Sequence, residues 1–505
     1  MKKNPIFKIV LMLSILFFLS SCESLQQTSS KLFSAIDEPQ LAFAQKSAEV
    51  TIDYAAGGQP VKDMLFGTNI EWVDNGDSIW NENTNDFDLQ RLEAISQTRP
   101  TSLRFPGGVH ADTYHWKYAV GNKNARQSGK HYYKTERIPS NFGTDEFLQL
   151  CKRLNARPIF TLNIVSGTPR EAAEWVSYVK TVTKKNNYPP VLYWEVGNEP
   201  YLENKFGRLS PQNYTHTYVE FFNAIKKVDP HAPMGALFVG REIEEYYRGK
   251  NGQGWNEALL NDAASSINYA SIHNAYYPGF IFNIFMSNDD VFKKTLGSLK
   301  KLKDDFTWLE QLIANRPIKI DISEYNSFFG INTRFDSYVS SLGGALYVAN
   351  VIQEFMNTPS VQVANYWSML DNWYFGLVFG GKIKRPNFYV FKLYTQMEGK
   401  TILPVPLTIP TELKMMAVKD GKSGEMLVYV INNDLQSAFH LKLSVQNFNL
   451  KGNVSLQTIF ANSILANNDS GTEQVRIEPS SIAASNPFEV DINPHSIVLL
   501  RFSNQ

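Results

Sequence analysis

Cysteine is nearly missing, with two in 505 residues. That excludes a disulfide-built scaffold, which needs several pairs. Surplus charge is missing too, since Lys+Arg and Asp+Glu each number 49. A chain without a positive excess has no electrostatic reason to seek a polyanion, so no nucleic-acid partner is expected. No glycine-rich phosphate loop follows any strand-like run, which argues against nucleotide or dinucleotide chemistry. No His, Cys and Asp spacing suited to a metal occurs. The chain is therefore expected to work without metal or cofactor. Nor does it have the apolar-poor composition of a disordered protein, with 43% hydrophobic and 19% charged residues. Aromatic residues make up 13%, and their flat faces suit sugar rings as well as cores.

The N-terminus carries more. Met1-Lys-Lys-Asn-Pro5 is basic, Ile6–Leu19 is almost wholly apolar, and the stretch closes at Leu19-Ser-Ser-Cys22. The apolar run is short of the roughly 20 residues that span a bilayer. It resembles a bacterial lipoprotein signal, cleaved before Cys22, whose thiol then carries the lipid. Residues 1–22 are expected to be that signal and 23–46, rich in Ser and Gln, a tether. The implied location is an exported lipoprotein, in the periplasm or on the cell surface, touching the membrane only through its lipid. Cys151 then has no disulfide partner; within Leu148–Leu154 it sits at helical spacing as a small buried hydrophobe. Residues 47–63 include Ser47–Tyr54, which alternates at strand period and is expected to join a C-terminal β domain.

From Met64 a strand–helix rhythm sets in. Strand-like runs are 64–72, 101–106, 156–164, 191–197, 234–239, 269–273, 318–323 and 361–368. Helical patterns separate most of them, at 87–98, 144–154, 171–185, 211–228, 289–314 and 336–356, with 385–398 after the last. The fifth strand and its helix are weakly marked. Eight strands with crossovers predict an α/β fold, a (β/α)8 TIM barrel over 64–400. After Thr401 the pattern turns to short strands at 413–419, 425–431, 439–445, 455–460 and 496–502, which predicts a C-terminal β-sandwich over 401–505.

Two stretches carry the chemistry. Val191-Leu-Tyr-Trp-Glu-Val-Gly197 is a buried-strand run that ends in Asn198-Glu199-Pro200, and Ile318-Lys-Ile-Asp-Ile-Ser-Glu324 has the same design. Barrel active sites gather at the C-terminal strand ends. Two carboxyls delivered there suit glycoside hydrolysis, in which one protonates the leaving oxygen and the other attacks the anomeric carbon or activates water. Glu199 and Glu324 are the candidates, on the fourth and seventh strands. Glu195 alternates away from the strand tip.

These motifs resemble those of the barrel glycosidases of clan A, which retain anomeric configuration. More of the chain is similar to its family 51, the α-L-arabinofuranosidases, through Leu103-Arg-Phe-Pro-Gly-Gly108, Tyr114-His-Trp116, Phe142–Phe147, Gly167–Val176 and Ala345–Ala349. The resemblance implies Glu199 as acid/base and Glu324 as nucleophile. It also implies sugar contacts from Glu71, Asn198, His273, one of Tyr276 and Tyr277, and Trp367. Arg104 is expected to brace the nucleophile, and Glu71 either meets substrate or pairs with Arg104. Asp371, Trp373 and Tyr374 crowd the loop beyond Trp367. The chain departs from the family where Val109 and His110 follow Pro-Gly-Gly, where Pro200 follows the acid/base, and where Trp367-Ser368 ends the eighth strand. Pro200 and Trp367 are closer to pyranose-cleaving relatives in the same clan, such as β-xylosidases, endoglucanases and β-glucuronidases. The implied partner is an oligosaccharide or polysaccharide. The alternative from a different class is a non-catalytic glycan-binding lipoprotein on an inherited barrel.

Overall fold

The computed structural model describes residues 43–203, 206–273, 286–327, 336–370, 374–406 and 408–503. The expected signal with Cys22 and the expected tether up to residue 42 lie outside the described residues, as do Tyr276, Tyr277, Asp371 and Trp373.

Eight parallel strands close into a barrel in chain order. They are Met64–Asn69, Ser102–Phe105, Arg157–Leu162, Tyr193–Val196, Met234–Leu237, Tyr269–Ser271, Lys319–Tyr325 and Val361–Tyr366. Their near-continuous apolar runs follow from burial on both faces. On the fourth strand Tyr193 and Glu195 enter the lumen, while Trp194 stacks on Phe160 at 4.8 Å and meets Trp175 of helix Pro169–Asn186 at 5.6 Å. Ile159, Tyr193, Tyr269 and Val363 form an apolar floor, with the two tyrosine rings stacked at 4.5 Å. Polar groups fill the layer above it, so the lumen is packed rather than open.

Helix starts are written locally. Thr168 and Ser210 each precede a proline, and their hydroxyls accept from the Glu171 and Asn213 backbone N–H groups at 3.1 Å. Proline suits the first helical position because no hydrogen bond is lost there. The weakly marked helix after the fifth strand is two helices, Arg241–Asn251 and Trp255–Asp262, parted at Gly252. Several elements are shorter than their apolar patterns: the first strand ends at Asn69 rather than Trp72, and the last barrel helix is Pro386–Tyr394.

The β domain is two sheets around a second core that includes Val50, Ile52, Val428, Val430, Leu441, Leu443, Leu500 and Phe502. Ala44–Asp53 pairs in parallel with Ser437–Gln446, which also takes Phe488–Ile492. Here the tether expectation is corrected: the strand starts at Ala44, inside 23–46. Ladder bonds hold its start, and Lys46 reaches Glu412 at 2.9 Å and Asp434 at 2.7 Å. The larger sheet runs from Gln59–Pro60 through Thr401–Leu403 to an edge strand, Ile477–Ala483. Thr401–Leu403, Ile477–Ala483 and Phe488–Ile492 are strands that the sequence reading lacks. Arg385 on the barrel side bonds Asp469 at 2.7 Å, and Asn350 bonds Asn433 at 2.9 Å, fastening the two parts.

Candidate active site

Every described candidate lies at or just past a C-terminal strand end. Arg104 is in the second strand and Glu324 in the seventh. Glu71, Asn198, Glu199, His273 and Trp367 follow the first, fourth, fourth, sixth and eighth. Backbone chemistry helps to place Glu199. Gly197 turns at φ +89°, where a Cβ would come within 2.4 Å of the Ile164 side chain, and Glu199 itself is left-handed at φ +43°. A non-glycine residue in that region costs about 1–2 kcal/mol, which marks a position that the surrounding fold dictates.

Arg104 joins four strands from the centre. Its Nε donates to Glu195 Oε2 at 2.7 Å, Nη1 to Glu324 Oε1 at 2.6 Å and to Asn69 Oδ1 at 3.1 Å, and Nη2 to Asn198 Oδ1 at 3.0 Å. The residue is fully buried. Burial opposes its charge, but the Glu195 and Glu324 carboxylates outweigh that and hold the guanidinium charged. Glu195 shows the reverse. Burial would raise its pKa, yet Arg104, then His273 and the Ser271 hydroxyl bring it below the ordinary carboxylate value. Thr161 Oγ1 also donates to Glu195 Oε2 at 2.8 Å. Glu195 is thus the buried anchor of the arginine, not a reacting group. Deeper still, Tyr193 donates to Asp321, whose pKa burial pushes up to about 7.

His273 connects the two candidate carboxyls. Its Nδ1 lies 3.0 Å from Glu199 Oε1 and 3.8 Å from Glu324 Oε2. Burial disfavours its charge, but Glu324, then the hydrogen bond and charge of Glu199, raise its pKa above the usual imidazole value. Tyr201 Oη donates to Glu199 Oε1 at 3.4 Å. Glu199 is a quarter exposed at its side chain (24%), whereas Glu324 is nearly sealed (6%).

Glu71 does not pair with Arg104. Its Oε1 sits 2.6 Å from His110 Nδ1 instead, and both residues are buried. Burial, then the charges of Glu324 and Asp74, raise the Glu71 pKa well above its ordinary value, and Arg104 pulls it down from a distance. The first strand and the Pro106-Gly107-Gly108 turn explain the difference: they bring residue 110, not residue 104, against the carboxyl. Glu71 and Trp367 meet across Gly108. A Cβ on that glycine would lie 3.0 Å from Glu71 Oε1 and 2.5 Å from the Trp367 ring, and its φ is +50°. Tyr133, from the loop after the second strand, packs edge-on against His110 at 5.5 Å. Half its surface meets solvent, while burial of the rest and then the Glu71, Tyr132, Glu199 and Glu324 groups raise its phenol pKa.

His110, Tyr133 and Tyr201 are the site residues that sequence reasoning missed. Tyr201 follows Glu199-Pro200 directly and was within reach. His110 stood out only as a departure from a motif, and Tyr133 lies in a loop without periodic signal. A separate cleft of about 750 Å³ runs between helix Asn288–Leu312 and the β domain, lined by Phe292, Lys300, Lys303, Glu412 and Asp434. Its carboxyls Glu412 and Asp434 are both bound by Lys46, whereas the barrel mouth holds Glu199 and Glu324 at the C-terminal strand ends and is the candidate site. Among the described residues no group of His, Cys, Asp and Glu could hold a metal ion.

A barrel with two such carboxyls braced over a buried arginine belongs to the glycoside hydrolases. Family comparison narrows this. The α-L-arabinofuranosidase 1 domain matches residues 94–269, and the α-L-arabinofuranosidase C-terminal domain matches 323–496, together more than half of the chain. A relative from Bacteroides ovatus, named an intracellular exo-α-L-arabinofuranosidase, is 24% identical over 79% of this chain and 82% of its own. The fold matches the α-L-arabinofuranosidase from Thermotoga maritima in its arabinose complex, with TM-score 0.75 and 19% identity over 92% of this chain and all of that one. It likewise matches the thermostable family 51 α-L-arabinofuranosidase from Thermotoga petrophila RKU-1, with TM-score 0.75 and 20% identity over 90% and 99% of the two chains. The chain belongs to the α-L-arabinofuranosidase family, family 51 of the glycoside hydrolases.

Proposed function

We propose that this chain is an α-L-arabinofuranosidase that works by double displacement with retention. Glu199 gives its proton to the glycosidic oxygen while Glu324 attacks the anomeric carbon, so that the leaving alcohol departs and a glycosyl-enzyme forms. Glu199 then takes a proton from water, the water oxygen bonds to the anomeric carbon, and Glu324 is released as carboxylate. The observation that carries this is the single His273 nitrogen between the two carboxyls. Their facing oxygens can be no farther apart than the sum of its two distances, 3.0 and 3.8 Å. That closeness supports the shorter carboxyl spacing of about 5–5.5 Å used for direct attack over the about 6.5–9.5 Å with which an inverting pair admits water.

The remaining residues take supporting parts. Arg104 orients Glu324 through its hydrogen bond to Oε1. Asn198 spends its carbonyl on Arg104 and keeps its amide N–H groups for a sugar hydroxyl. Glu71 accepts from another hydroxyl, and Trp367 offers an aromatic face beside it. The test is a panel of nitrophenyl glycosides with proton NMR of the first sugar released. The α-L-arabinofuranoside should be cleaved with retention. Cleavage of a β-xyloside, β-glucoside or β-glucuronide in its place would move the substrate to a pyranose, and an inverted first product would end the nucleophile assignment. Glycan binding with no hydrolysis of any panel member would favour the non-catalytic reading.

We further propose export as a lipoprotein acylated at Cys22, which the basic, apolar and Ser-Ser-Cys order of residues 1–22 supports. In bacterial cells the full-length chain should partition with membranes and incorporate labelled palmitate. Cys22→Ala should abolish the label and prevent signal removal. Equal, unlabelled recovery of both in the soluble cytoplasmic fraction would refute export.

A further inference from the structure

Glu71 is buried beside a second carboxylate, and both conditions favour its protonated form. A protonated carboxyl presents a donor where an ionised one presents acceptors, so whatever partners its Oε1 decides how it meets a sugar hydroxyl. That partner is His110, at 2.6 Å. His110 is itself held through both its backbone and its ring. Its backbone carbonyl accepts from Trp72 Nε1 at 3.1 Å and from Thr113 Oγ1 at 3.2 Å. The rings of His131 and Tyr133 stand edge-on to it at 4.6 and 5.5 Å. The other groups facing the pair are Tyr132 on the His110 side, and on the Glu71 side Glu324, Asp74 and Arg104, with Asp77 accepting from the Glu71 backbone N–H at 3.0 Å. Across Gly108 the same Glu71 oxygen borders the Trp367 ring. The carboxyl therefore forms part of the wall of the sugar site, and His110 stands behind it.

We infer that His110 is a positioning residue for glycone recognition: its Nδ1–H fixes Glu71 Oε1, so that Glu71 stays an oriented acceptor and its second oxygen reads a hydroxyl of the bound sugar. The inference rests on the proposed function for the existence of a glycone in this site, and goes beyond it in assigning His110. Charge-assisted hydrogen bonds are short and directional, and losing the donor frees both the orientation and the protonation of the carboxyl.

Two substitutions separate positioning from packing. His110→Phe keeps a ring of similar size and removes the donor, while His110→Asn puts an amide N–H where Nδ1 was and leaves a void. Positioning predicts that His110→Phe lowers kcat/KM about tenfold or more, mostly through KM, and that His110→Asn keeps activity within about threefold of wild type. A packing role predicts the opposite order, with Asn the worse of the two, and that order would overturn the inference. Coupling gives the second readout. In a Glu71→Gln background, His110→Phe should add little further loss, because it acts through Glu71; additive losses would overturn it as well. If the wild type prefers a pyranoside, the glycone in the proposed function is wrong, and the order of the two variants on that pyranoside still decides the role of His110. A wild type that cleaves no panel member overturns both.

Discussion

Glu324→Gln should abolish turnover while leaving the fold intact. Glu324 is held where an attacking group must be, at the end of the seventh strand, with Oε1 accepting from Arg104 Nη1 at 2.6 Å and Oε2 3.8 Å from His273. An amide fills the same volume but is neither charged nor nucleophilic. Covalent catalysis without its nucleophile typically falls by several orders of magnitude, and a loss on the order of 10⁴ or more in kcat is expected. Stability should change little, since Arg104 keeps Glu195. Glu199→Ala should behave differently. General acid catalysis contributes about 10²–10⁴-fold, and the loss should shrink as the leaving phenol becomes more acidic and needs less protonation. Initial rates on aryl arabinofuranosides of graded phenol acidity separate the two cases. Turnover by Glu324→Gln above about a hundredth of wild type would remove Glu324 from the nucleophile's role.

Arg104→Met should be the most destabilising single change in the barrel. It removes the cation that Glu195, Glu324, Asn69 and Asn198 all bond, and Glu195 is as fully buried as the arginine. Breaking a buried pair by deleting one member costs about 3–5 kcal/mol, because the remaining charge is left desolvated. The pH dependence has a definite sign. In the wild type the Glu195 pKa is lowered, so its contribution is complete at neutral pH and is lost only as pH falls below the ordinary carboxylate value towards the lowered one. Without Arg104, burial raises that pKa above the unfolded value, and the folded variant is penalised more as pH rises. The difference between wild type and Arg104→Met should therefore widen from about pH 4 to pH 8. Urea melts of both proteins across that range measure it; a gap that narrows with rising pH would contradict the arrangement.

Much of this was open to reading from residues close together in the chain. The β-branched and aromatic run Val191–Gly197 has few stable homes besides a strand covered on both faces, and Asn198-Glu199 follows where that strand must end. Thr168-Pro169 and Ser210-Pro211 announce helices for reasons that lie within one turn. Ile477–Ala483 escaped because an exposed edge strand containing Pro479 shows neither alternation nor an apolar run. Phe488–Ile492 does alternate, buried and exposed in turn, and its signal was present in five residues.

By itself, then, the sequence determined the βα order, the strand ends and the carboxyls that stand on them, since these depend on apolar patterning and turn chemistry between near neighbours. Tertiary structure decided who pairs with whom. Arg104 meets Glu195, Asn198 and Glu324 only because barrel closure brings the second, fourth and seventh strands around one axis. Ala44–Asp53 finds Ser437–Gln446 across most of the chain. Glu71 takes His110 rather than Arg104 because two glycines fold the turn back under it. In each case the deciding force is a desolvated charge or an open sheet edge that needs a partner, and only the closed fold says which one is within reach.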